Sequence, residues 1–239
     1  MNNILYYVAL LFCFATNAQT IEVHYQIQID LSGGKSQPNL QQYHLTNSQG
    51  KSLQKKFLEK HSSENRDGST SRFVKLGNDT TFIYKNFSTD RLISEERIFT
   101  KAFVVEDNLQ LFKWTIEADT LTVLSQKCRK ASTKFRGREY IAYFAEDIPI
   151  PDGPYKFNGL PGLILKVLMV NSDSVFVAEA VSIRLNGTNK EIRNPFEGKK
   201  LTRYEDYKKE HKRKSSEMEA YSQQGDVKIS SSGWELHDE

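Results

Sequence analysis

The stretch DIPIPDGPYKFNGLPGLILKVLMV, residues 147–170, gives the backbone two opposite instructions. Four of the chain's six prolines, Pro149, Pro151, Pro154 and Pro161, fall within thirteen residues of it, with Gly153, Gly159 and Gly162 beside them. Each proline fixes φ and removes an amide donor, so residues 147–162 form neither a helix nor a central strand and must be a loop of fixed path. Residues 163–170 then run apolar except for Lys166, the pattern of a strand buried on both faces. A stiff corner feeding a buried strand is the point on which a sheet is pinned.

Working outward from that corner, period-two alternation dominates residues 21–190. Val23, Tyr25, Ile27 and Ile29 share one face of a strand, with His24, Gln26 and Gln28 on the other. Residues 80–87, 91–99 and 109–118 are further aromatic or β-branched runs, with turn chemistry at Ser88-Thr89-Asp90 and Glu106-Asp107-Asn108. Residues 121–132 and 140–145 read as two strands joined through 134–138. Residues 175–183 read as the return partner of 163–170 across 171–174. Residues 59–71 are polar and read as a loop. Turns recurring at this spacing predict a mainly β protein, an antiparallel meander forming a curved open sheet, half-barrel or barrel. Six basic residues and no acid lie between Lys127 and Arg138. They read as a solvated hairpin face rather than an anion site.

Fourteen Phe, eleven Tyr and two Trp in 239 residues supply a sizeable core. A net charge of +3 is too mild to imply a nucleic-acid partner. Residues 4–14 form an apolar run too short to span a bilayer, followed by Thr16-Asn17-Ala18 and Gln19. This predicts a secretory signal over residues 1–18, cleaved after Ala18, although no Lys or Arg precedes the run. Phe12 is too bulky to precede a lipidated Cys13, so no anchor is expected. Cleavage leaves Cys128 alone, without an internal disulfide. The mature chain is expected to be exported, to the periplasm or beyond, and not membrane-spanning.

The β domain is assigned to residues 19–198, ending near Asn194-Pro195-Phe196. Thr202 and Glu205 have capping-box spacing, which places a basic helix in residues 199–221. Tyr204, Tyr207, His211, Met218 and Tyr221 give that helix a thin apolar stripe, so it reads as a solvated appendage. Residues 222–239 read as a disordered tail in which Trp234 alone is equipped to dock.

No Gly-x-Ser-x-Gly elbow, phosphate-cradling glycine loop or His-Glu-x-x-His motif occurs. His24, His44, His61, His211 and His237 lack ligand spacing, so no metal or other cofactor is called for. Cys128 lies between Lys127 and Arg129, but adjacent strand residues point to opposite faces, and the thiol reads as a small buried hydrophobe. Asp147 and Asp152 could form a carboxylate pair, although Asp in such loops more commonly caps turns. No catalytic residue is assigned. The binding candidate is the loop itself, through Asp147, Asp152, Gly153, Pro154, Gly159, Leu160, Pro161 and Gly162.

The run Gly159-Leu160-Pro161-Gly162-Leu163-Ile164 resembles the signature of the GLPGLI family. Trp114, Lys127-Cys128-Arg129-Lys130-Ala131, Gly137-Arg138, Tyr143-Phe144, the segment 147–154 and Asn194-Pro195 follow the order of that family. The resemblance implies an exported protein of a Gram-negative bacterium, without an assigned activity or active site. Three functions are weighed. The first is a non-enzymatic binding or accessory protein for an envelope partner, using the loop. The second is a carrier of a hydrophobic ligand or lipid in a half-barrel, which needs an apolar cavity. The third is a hydrolase with an unfamiliar site, which needs polar groups converging in one pocket.

Overall fold

A computed structural model describes residues 20–30, 39–58, 80–170, 175–186 and 189–223. The expected signal, the 59–71 loop, the 171–174 turn and nearly all of the tail lie outside the described residues. The elements in chain order are β1 (Thr20–Asp30), β2 (Asn39–Ser48), β3 (Lys51–Leu58), β4 (Thr80–Asn86), β5 (Arg91–Ile98) and β6 (Lys101–Asn108). There follow β7 (Thr115–Val123), β8 (Gln126–Phe135), β9 (Arg138–Ala145), β10 (Leu163–Val170), β11 (Val175–Asn186), β12 (Thr202–Arg203) and α1 (Tyr204–Gln223).

All twelve strands join one sheet in the order β12-β6-β5-β4-β3-β2-β1-β11-β10-β9-β8-β7. Two meanders meet where β1 pairs with β11, and only the short β12–β6 contact is parallel. The order itself forces curvature. Strands β6 and β7 are ten positions apart, roughly 48 Å in a flat sheet. The connection between them, residues 109–114, reaches roughly 20 Å when fully extended. The sheet must therefore curl until its ends approach, although no hydrogen-bonded ladder closes it into a barrel.

Arg136, in the β8–β9 turn, spans the gap between the two ends. Its guanidinium donates to Asp107 Oδ2 of β6 at 2.7 Å and lies 3.6 Å from the ring centroid of Tyr204, the first residue of α1. Inside the curl lies the main core. Ile21, Val23, Tyr25 and Ile27 of β1 pack there with Leu45, Ile83, Phe144, Val167, Phe176 and the loop residues Phe157 and Leu160. Phe157 is the hub, with ring centroids 5.1 Å from Phe112 and Tyr140 and 5.8 Å from Phe176. A second cluster of Tyr84, Ile93, Ile192 and Phe196 covers the outer face of β4 and β5.

Several expected boundaries shift, each for a local reason. Glu106, Asp107 and Asn108 are not a turn but the end of β6; the turn falls at Phe99-Thr100, where Phe99 takes φ of 52°. Residues 109–114 are a connector, so the expected 109–118 strand starts only at Thr115. Leu121 belongs to β7, because the chain reverses at Leu124-Ser125 with φ of 48° and 63°. Two residues of positive φ make the tight hairpin turn that matches strand twist, but Leu-Ser carries none of its usual signals. Likewise β8 runs through Phe135 and turns at Arg136-Gly137. Strand β11 extends past Ile183 to Asn186.

The C-terminal helix is not a solvated appendage. Tyr204 and Tyr207 are buried against Ile98, Phe103 and Val105, and the Tyr207 hydroxyl donates to the Arg97 carbonyl at 3.2 Å. Nor does Thr202 cap it: Thr202 pairs with Val105 as part of β12, and the helix begins two residues later. Among the described residues, no helix is long and apolar enough to cross a membrane.

Removing the Arg136 bridge should loosen both ends of the sheet together. Arg136→Ala is expected to lower stability by roughly 1–3 kcal/mol, the range for a partly buried cation–π contact plus ion pair. Arg136→Lys, which keeps the charge but not the stacking plane, should fall between. Urea unfolding measures both, and an unchanged midpoint in Arg136→Ala would show that the seam contributes nothing.

Candidate functional site

The proline-rich loop leaves the sheet after Ala145, folds across the inner face and returns at Leu163. Its backbone is tied to itself: Gly159 N donates to Pro151 O at 3.1 Å, Leu163 N to Ile148 O at 2.9 Å and Ile164 N to Asp152 O at 2.9 Å. The sheet grips it through a polar clamp. Lys85 of β4 and Asp152 are both 0% exposed, with Nζ to Oδ1 at 2.8 Å. The other two ammonium protons go to the carbonyls of Gly153 at 3.1 Å and Phe157 at 2.9 Å. Asp152 Oδ1 also accepts from its neighbour Gly153 N at 2.8 Å, and Oδ2 accepts from Asn47 Nδ2 at 3.0 Å. Gln54 Nε2 donates to the carbonyls of Gly153 and Tyr155, and Trp114 Nε1 to that of Asn158. Burial holds the Lys85 ammonium below its ordinary lysine range, while Asp152 beside it opposes that shift.

The glycine-rich run is explained by space. At Gly162 a Cβ would stand 2.2 Å from the Ala145 carbonyl oxygen, and at Gly153 it would stand 2.7 Å from Ile164 Cβ. Gly159 takes φ of +90°, a left-handed turn that L side chains rarely adopt. Leu160 is buried in the core at 1% exposure while Pro161 faces solvent. Of the eight loop candidates, Asp152, Gly153, Pro154, Leu160 and Gly162 are buried, and Asp147, Gly159 and Pro161 are exposed. Asp147 and Asp152 are therefore not a carboxylate pair, since one is in solvent and the other serves Lys85. Lys85, Asn47 and Gln54 escaped the sequence reading. Lys85 sits on the inward phase of its strand, two residues after core Ile83, and that was its one signal.

The described groups do not assemble an activated nucleophile. Cys128 is fully buried, and its thiol, which donates to the Gln126 carbonyl at 3.5 Å, is pushed by burial up to about 11. At least three of the six hairpin cations are paired with acids: Arg129 with Glu146, Lys130 with Glu117 and Asp119, and Arg136 with Asp107. His24 and His44 lie opposite each other on β1 and β2 with rings stacked at 4.4 Å, a meeting their separation in the sequence concealed. No cluster of three or more metal-ligating side chains occurs among the described residues.

At the tip of the loop the surface changes. Tyr155 takes φ of 55° without being glycine, a strained backbone that holds its ring beside Phe112, Phe135, Tyr140 and Phe157. Arg136 and Lys156 complete this cleft, whose volume of about 10 Å³ admits roughly one water. The cleft is a shallow aromatic patch with two cations.

Residues 126–166, which comprise β8, β9, the loop and the start of β10, match a family model described as a protein of unknown function (Porph_ging). No curated protein matches. Among solved structures the chain is similar to PNGF-II in two space groups, with TM-scores of 0.53 and 0.54 at 20% identity. The similarity covers 83% of this chain and 34% of PNGF-II, so the chain spans about a third of those structures and shares their fold over that part. A LolA superfamily protein from Nitrosomonas europaea aligns over 75% of this chain and 90% of its own, with a TM-score of 0.30 and 7% identity.

Disrupting the clamp tests how the loop is held. Lys85→Met leaves Asp152 charged and buried without its cation, and should cost about 3–5 kcal/mol. Lys85→Met with Asp152→Asn should be less destabilised than the sum of the two single variants, because each change removes the reason for the other's penalty. Additive losses in urea unfolding would mean the two side chains do not act as a pair.

Proposed function

We propose that the chain is an exported, non-enzymatic binding or accessory module of the GLPGLI type, and that its contact surface is the shallow cleft around Tyr155. The observation that carries this is the strained Tyr155 backbone, held over a loop that Lys85 and Asp152 fix from beneath. Strain persists only where the surroundings impose it, and loops set on a rigid scaffold are where binding residues concentrate. The shape favours a protein partner. Small-molecule pockets run to roughly 300–1,000 Å³, whereas partly buried aromatics beside an Arg are the composition of protein interfaces. A carrier of hydrophobic ligands finds less support, because Phe157, Leu160 and the surrounding rings occupy the inside of the curl.

The accompanying layout is a signal over residues 1–18, a β domain over 19–198, and a C-terminal segment from 199 that carries α1 (Tyr204–Gln223). The apolar run at 4–14 supports export to the periplasm or beyond. Expression in a Gram-negative host should yield an envelope-fraction chain whose intact mass begins at Gln19; a cytoplasmic chain retaining residues 1–18 refutes it.

The cleft is tested with Tyr155→Gly, which removes the ring without asking another side chain to adopt a left-handed backbone. A partner captured from the envelope of the native host and then purified should bind the full chain in a defined assay. That binding should fall at least tenfold in Tyr155→Gly at unchanged thermal stability. Binding that survives the substitution places the contact elsewhere.

A further inference from the structure

The two edges of the sheet are finished differently. The outer edge of β6 is met by β12, whose Thr202 and Arg203 pair with Val105 and Glu106, and by α1, whose Tyr204 and Tyr207 are buried against the same strand. At the other end β7 has β8 as its one substantial neighbour among the described elements. From Thr115 to Thr122 its residues are exposed, apart from the half-buried Glu117. Charge guards only the first half: Glu117 and Asp119 sit in the irregular stretch between Ile116 and Thr120, and both pair with Lys130. The second half, Thr120-Leu121-Thr122-Val123-Leu124, holds no charge, proline or glycine, and Leu121 and Leu124 are 38% and 40% exposed. An edge without such guards is a template for another strand.

The turn decides where the free backbone groups point. Leu124 and Ser125 form a two-residue reversal, so Val123 and Gln126 are its closing hydrogen-bonded pair. Bonded and non-bonded pairs alternate along an antiparallel ladder. Leu121 therefore bonds to Cys128, while Thr120 and Thr122 aim N–H and C=O away from β8. We infer that this edge, residues 120–124, adds the same strand of a second copy of the chain, antiparallel about a two-fold axis through Leu121. In that register Thr120 of each chain faces Thr122 of the other, and every outward N–H and C=O of these threonines finds a partner. Leu121 lies opposite itself as the close, non-hydrogen-bonded pair, which covers an exposed leucine in each chain, and Leu124 meets Ala118. Asp119 faces Val123, so like charges stay apart. The strand is thus complementary to itself, which an edge built for an unrelated segment has no need to be. Because β6 is already covered, each chain offers one such edge, and the assembly closes at two instead of running into a fibre. The site lies at the end of the β7–β8 hairpin remote from Arg136 and the Tyr155 cleft, and is independent of that contact surface.

A contact this short is expected to be weak and transient, so it is sought over a concentration series reaching the millimolar range. In sedimentation velocity the purified chain should pass from one copy to two along that series. Over the same series the amides of Thr120 and Thr122, which face solvent in the monomer, should gain at least tenfold protection from hydrogen exchange. Thr122→Pro removes an outward N–H without touching the β7–β8 ladder, and Leu121→Lys sets like charges opposite each other. Either should abolish association at unchanged thermal stability. Thr122→Val, which keeps the amide and the branched side chain, should associate as the parent does. A chain that stays monomeric throughout overturns the inference, as does a dimer that survives both disruptive substitutions. Association without added protection at Thr120 and Thr122 also overturns it, because the contact then lies on another face. The exchange measurement needs no variant, so it decides the matter even where a substituted chain fails to fold.

Discussion

The architecture hangs on a single buried charge. Lys85 reaches from the sheet into a loop of seventeen residues whose own backbone cannot form a ladder, and satisfies a carboxylate and two carbonyls at once. Such a pair, replaced by well-packed apolar residues, is often neutral or stabilising; its distinctive property is the penalty for any arrangement that separates its members. The loop therefore has one position in the curl. Asn47 and Gln54 complete the clamp from β2 and β3, Asn47 donating to the Asp152 carboxylate and Gln54 to the carbonyls of Gly153 and Tyr155.

Once the loop is fixed, the rest of the inside is decided. Phe157 occupies the centre of an aromatic group drawn from the β6–β7 connection, β8, β9 and β11, and the sheet wraps round it until Arg136 meets Asp107 and Tyr204. The helix joins the same arrangement, so the C-terminal segment belongs to the folded unit rather than trailing from it. A filled interior moves any binding event to the surface, where the loop tip exposes the opposite side of the residues the clamp immobilises. Within the loop Asp152, Gly153, Leu160 and Gly162 are buried, whereas Asp147, Gly159 and Pro161 are exposed and Tyr155 is half-buried at the rim of the cleft.

This division explains why the most recognisable letters of the sequence are not the best functional candidates. Gly162 is glycine because a backbone carbonyl occupies the space of its Cβ, and Leu160 is apolar because it is core. The residues that build the clamp and the cleft, Lys85 and Tyr155, belong to no motif. Tyr155 is one of eleven tyrosines, and Lys85 sits in an ordinary strand where only its inward phase distinguishes it.

Alternation and proline content alone specified the antiparallel meander, many of its strands though not β2, β3 or β6, the ordered corner and the buried strand after it, because periodicity and fixed φ are local properties of the chain. The exceptions were hairpins such as Leu124-Ser125, where the reversal is imposed by flanking pairs rather than by turn residues. What waited for tertiary structure was every relation between distant residues. Lys85 and Asp152 are 67 positions apart, Tyr25 and the Ile164 carbonyl 139 apart. Which inward lysine finds an acid is set by sheet order and curvature, quantities that no stretch of sequence contains by itself.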